Sequence, residues 1–190
     1  MSNQMNRTAE SALSFSSLTK PILLVFGGSI LLTISSYISI PMIPVPITMQ
    51  TLAVTTIGAL FGWRLGMMTV VFWLLQGAMG LPVFANGSGG IAHLLGPTSG
   101  YLFAFPIAAA ATGALVERGW NGKRAIMAFL AMLLGNFICL SLGTLWLSAQ
   151  IGLSNAIALG FAPFLVGAVI KSVMGVAILK LPNAQRPFSL

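Results

Sequence analysis

Few residues in this chain are of a kind that does chemistry. Among 190 there are two acids, Glu10 and Glu117, one histidine, His93, and one cysteine, Cys139. An intramembrane hydrolase needs an aspartate pair, an HExxH helix or a serine beside a base. Only His93 with Ser88 or Ser99 approaches the last of these, and His93 reads as an ordinary loop residue. There is no GxxxxGK[ST] loop, so the chain hydrolyses no ATP itself. A lone cysteine in an apolar run forms no intrachain disulfide, and no group of residues suggests a metal or a cofactor. What stands out is a cation in the wrong solvent: APFLVGAVIKSVMGV, Ala162 to Val176, would pass for a membrane helix but for Lys171. A lysine at the centre of a membrane helix costs about 2.5–3.5 kcal/mol and by default marks a functional site. It lies roughly 13 Å from the cytoplasmic end of its segment at 1.5 Å per residue, deep for snorkelling. A backbone carbonyl could offset part of the cost. With no acid in any predicted span, the other partner is an anion arriving from outside.

The elements that must position these residues follow from composition. Hydrophobic residues make up 57% of the chain and charged ones 6%, and the mean hydropathy is +0.97, outside the range of soluble domains. Cutting at charges and turn residues gives six apolar segments, about 21–40, 48–62, 65–80, 98–116, 125–149 and 156–180. The expected fold is an all-α integral membrane protein of the cytoplasmic membrane, with six transmembrane helices and both termini cytoplasmic. The second and third segments are short and parted only by Gly62, Trp63 and Arg64, so a re-entrant hairpin is the alternative there. Residues 1–19 and 182–190 read as cytoplasmic tails of a single membrane domain, 20–181. The formal charge of +7 reports topology, not nucleic-acid binding. Arg7, Lys20, Arg64, Arg118, Lys123, Arg124, Lys180 and Arg186 all fall on the inner side, and the outward connections hold no Lys or Arg.

Two outward connections are specialised. Pro41, Pro44 and Pro46 stiffen the first, which delivers Thr48 and Gln50 to the second segment. The second, LPVFANGSGGIAHLLGP over 81–97, sets Asn86 and Ser88 among glycines that let a backbone approach a ligand closely. Thr98 and Ser99 are placed to cap the next helix.

Three stretches in these regions, VPITMQTLAV (45–54), GLPVFANGSGG (80–90) and LGPTSGYLFAF (95–105), resemble the BioY family, the biotin-binding S components of energy-coupling factor (ECF) transporters. The likeness returns at PFLVGAVIK (163–171). It implies a six-helix protein that holds biotin near its outer face under the first outward loop. The expected partners are a transmembrane coupling protein and a pair of ATPases, which would supply the energy that the missing phosphate loop denies this chain. By the same resemblance Lys171 is expected to meet the biotin carboxylate and Asn86 the ureido ring. Gln50 is expected as a polar amide and Tyr101 as an aromatic wall. Two departures matter. The family's PFLPGDxxK becomes PFLVGAVIK, so Ala168 stands where an aspartate is expected, leaving Asn86, Gln50 or water to replace it. GPTGGY becomes GPTSGY. The family's small-residue feature on the first helix, which admits a partner helix, is matched only in part by Ser29 and Thr33. The competing function is a membrane enzyme or regulatory protein holding a small anionic lipid or metabolite in the outer pocket.

Overall fold

A computed structural model describes the backbone of residues 2–181 and the side chains of 19–181; the expected C-terminal tail, 182–190, lies outside the described residues. The chain runs α1 (Ser2–Tyr37), a two-residue strand pair β1 (Ser39–Ile40) and β2 (Ile47–Thr48), α2 (Gln50–Ala78), two 3-10 turns (Ala85–Gly87 and Ile91–Leu95), α3 (Ser99–Glu117) and α4 (Ala125–Ile151). It ends in α5 (Leu153–Ala156), a π turn (Ile157–Phe161) and α6 (Ala162–Leu179). Among the described residues, five helical stretches are long and apolar enough to cross a membrane: Thr19–Tyr37, Gln50–Ala78, Ser99–Glu117, Ala125–Ile151 and Leu153–Leu179. Their outward faces are as apolar as their inward ones, with Leu23, Ile126 and Val166 largely exposed, which suits hydrocarbon and not water.

The segments expected at 48–62 and 65–80 form one run of helix, yet the chain does not pass straight through it. Gly62 has φ 81° and ψ 170°, a left-handed conformation that glycine adopts without steric cost. Beyond it the chain turns back, so that Gly66 packs directly on Gly58, residues that a straight helix would hold about 12 Å apart. The Trp63 amide, left without a helical acceptor, donates to Glu117 Oε1 at 3.1 Å. The arms 50–61 and 63–78 therefore lie side by side.

Small residues let the elements approach at backbone distance, the packing expected where hydrophobicity cannot sort one helix from another. Gly58 faces the backbone of Ala109, Gly113 faces Gly62 and Trp63, and Gly135 faces Thr112 and Thr55. Ala104, Ala108 and Thr112 are wholly buried. Ser29 is buried as well, its hydroxyl bonded to Gln76, and Thr33 donates to the Ser29 carbonyl at 2.9 Å; on this helix Ser29 packs α1 on α2 and does not face outward. The loop expected at 150–155 shrinks to one residue, because Gly152 at φ 80° ends α4 and starts α5.

Candidate functional site

At the loop-covered end of the bundle lies a cavity of about 600 Å³, lined from both long loops and from α2, α3, α4 and α6. That size is typical of sites for small metabolites. Lys171, Asn86, Gln50 and Tyr101 all line it, although they come from four elements that meet only in the fold.

The roof is a six-residue arch. β1 and β2 pair antiparallel, Ser39 with Thr48 and Ile40 with Ile47, and the intervening Pro41, Met42, Ile43, Pro44, Val45 and Pro46 all line the cavity. Prolines suit an arch that offers its backbone amides no partners. The second loop is held beside it. Tyr37 Oη donates to the Pro82 carbonyl at 2.7 Å, Ser36 Oγ to the Val83 carbonyl at 2.9 Å, and Ser39 Oγ to Asn86 Oδ1 at 3.0 Å. What pins the second loop is Phe84, fully buried edge-on to Trp73 at 5.0 Å, in the gap that Gly77 leaves. Asn86 itself takes φ 58°, the left-handed conformation its short polar side chain tolerates.

Lys171 is buried and does not snorkel. Its ammonium reaches across to the start of α2, donating to the Thr48 carbonyl at 2.8 Å and to Thr51 Oγ1 at 2.9 Å. An ammonium has three N–H donors, so one is left for the cavity. Gln50 stands beside the same threonine. Its Oε1 accepts from Thr48 Oγ1 at 2.9 Å, while its buried Nε2 has no partner. A buried amide without a partner costs about 1–3 kcal/mol, which a ligand acceptor would recover. The base of the cavity thus carries two spare donors and, among the described residues, no carboxylate.

Tyr101 contributes its ring. It stacks near Phe164 at 6.3 Å, and its hydroxyl is spent on the Gly160 carbonyl at 2.7 Å, one that the π turn leaves available. Thr98 occupies the N-cap position of α3, but contrary to expectation its side chain makes no cap bond; Thr98 Oγ1 lies 3.4 Å from His93 Nε2 instead.

Two more residues line the cavity: His93, which reads from the sequence as an ordinary loop residue, and Asn136, which sequence reasoning passes over. His93 is part of the mouth, with Nε2 3.5 Å from Ser88 Oγ and its ring stacked on Phe84 at 5.3 Å; burial lowers its pKa. Asn136, 2% exposed, lines the cavity from the middle of α4. A lone amide in an apolar span is a signal of the same kind as a lone lysine, and it is the signal that would have found this residue.

Comparison with known proteins gives a consistent picture. The BioY family model matches residues 3–187. A probable biotin transporter BioY of Pyrococcus horikoshii is 37% identical over 78% of this chain and 86% of its own length. The biotin transporter BioY2 of Lactococcus lactis is 36% identical over 80% and 83%, and the biotin transporter BioY of Thermotoga maritima 39% over 78% and 86%. Among solved structures, the S-component for biotin from an ECF-type ABC transporter superposes with a TM-score of 0.79 at 27% identity, covering 91% of this chain and 95% of that one.

Proposed function

Since the chain belongs to the BioY family, we propose that it is the biotin-binding S component of an ECF-type transporter, taking up biotin across the cytoplasmic membrane. It is a transport subunit and not an enzyme. The observation that carries this reading is the pair of spare donors, Lys171 Nζ and Gln50 Nε2, at the base of a largely apolar cavity. Biotin is an apolar bicycle and alkyl chain with few polar groups, and such a ligand wants an apolar pocket with few polar contacts. Lys171 and Gln50 donate to it, Asn86 offers its amide at the mouth and Tyr101 a wall. The relatives' function as biotin transporters and the S-component likeness support the same assignment.

The membrane domain, 20–181, crosses the bilayer six times with both termini cytoplasmic. The reversal at Gly62 supports the even count, and the basic residues support the orientation. Energy comes from a transmembrane coupling protein and an ATPase pair, and recovery of ATPase subunits with the tagged chain from its own membranes tests that part. Equilibrium binding of labelled biotin to the purified chain tests the central claim: saturable binding at micromolar or lower ligand is expected, and its absence would sink the proposal. Lys171→Ala should weaken biotin about tenfold or more, since hydrogen bonds from charged donors contribute about 1.5–3 kcal/mol.

A further inference from the structure

Resting on the biotin reading, we propose that Asn136 Oδ1 is the acceptor that replaces the missing acid at Ala168, and that the cavity base consequently grips the ligand's ureido edge and not its carboxylate. The candidates for a replacement acceptor narrow quickly. Asn86 Oδ1 accepts from Ser39 and Gln50 Oε1 from Thr48, so each has one of its two lone pairs occupied. Asn136 differs. Its Nδ2 donates to the Met132 carbonyl at 3.0 Å and to Ser172 Oγ at 3.3 Å, and a carbonyl can only be met by the NH₂ side of an amide. That fixes the amide's orientation, and Ser172 is itself held by donating to the Ala168 carbonyl at 2.7 Å. Among the described residues no donor meets Asn136 Oδ1. It is the part of the amide left to face the cavity, which Ala168 also lines, and the hydroxyl that holds its Nδ2 belongs to Ser172, one helical turn along α6 from Ala168.

The three groups at the base therefore form a pattern: two donors, Lys171 Nζ and Gln50 Nε2, beside one acceptor, Asn136 Oδ1. A carboxylate accepts only, so it would satisfy the donors while setting oxygen against oxygen at Asn136. A ureido edge carries a carbonyl flanked by N–H and complements all three. The ligand's charged tail then lies towards the mouth, under the proline arch.

Binding of three probes to the purified full chain tests this: biotin, its methyl ester, and a cyclic carbamate analogue with oxygen in place of one ureido N–H, made as both isomers. Asn136→Leu should weaken biotin about ten- to a hundredfold, the effect of stranding one buried donor. One carbamate isomer should bind the unsubstituted chain more weakly than biotin by a similar factor, and that difference should vanish in Asn136→Leu. Lys171→Ala should weaken biotin and its methyl ester by the same factor. Should the leucine variant not fold, the two carbamate isomers on the unsubstituted chain decide: one is expected to bind about ten- to a hundredfold more weakly than the other, and equal binding of both overturns the proposal. Adding Ala168→Asp to Asn136→Leu should restore biotin binding. The proposal is overturned if Asn136→Leu binds biotin within twofold of the unsubstituted chain, if the carbamate difference persists in that variant, or if Lys171→Ala weakens biotin and spares its ester. Failure of the unsubstituted chain to bind biotin would instead overturn the transport reading, and this inference with it.

Discussion

A single ionisable side chain sits at the mouth of the cavity, and its surroundings give a pH prediction. His93 stacks on Phe84 and is half-buried, and burial lowers its pKa from 6.5. A base with a depressed folded pKa binds fewer protons folded than unfolded between the two values. Its contribution is complete above about pH 6.5 and is lost as the pH falls towards the lower folded value. The melting temperature should therefore drop on acidification below pH 6.5, and His93→Phe should flatten that limb of the profile. At this scale the sequence discloses Lys171 readily, because a full charge in an apolar run is costly wherever it packs. Asn136 escapes notice because a neutral amide is cheaper and has many structural uses; only its hydrogen bonds to Met132 and Ser172 show which atom is left over. That Gln50 keeps one spare donor while Tyr101 has spent its hydroxyl is equally invisible without the neighbours.

Helices and loops were more legible. Runs of apolar residues cut at Pro, Gly and charge locate the membrane-spanning part of every long helix to within a few residues, since a bilayer rewards length and apolarity directly; the helical stretch of α1 ahead of Thr19, which begins at Ser2, has no such signal. Two boundaries behave differently. The turn between α4 and α5 needs only Gly152, because a single left-handed residue redirects the chain without a loop. At Gly62 the same conformation sits between arms that pack through Gly58 and Gly66. Gly62→Ala would force an ordinary residue into that conformation and push its methyl at the Glu117 carboxylate, costing about 1–3 kcal/mol. Gly58→Leu would wedge a side chain into the Ala109 backbone and cost at least as much. Both should lower the melting temperature of the purified chain, and both lie far enough from Lys171 that the surviving folded fraction should bind biotin with little change.

Across the molecule, the distribution of basic residues predicts an orientation that labelling can check. Cys139 is buried, so single new cysteines can be read against a quiet background. In intact cells an impermeant maleimide should modify Ser154→Cys, at the start of α5, and leave Asn121→Cys, in the connection between α3 and α4, unmodified until the membrane is opened. The reverse pattern would invert the topology. The reversal at Gly62 also bears on the lipid around the protein. Its arms, 50–61 and 63–78, reach roughly 18 and 24 Å at 1.5 Å per residue, against a hydrocarbon slab about 30 Å thick. If each arm crosses, the slab beside this pair is expected to thin, and Trp63, with Arg64 at 5.1 Å over its ring, is suited to hold headgroups at the indentation. With both arms crossing, the protein would sit in a dimple of its own membrane, and the work of making it would grow with acyl-chain length.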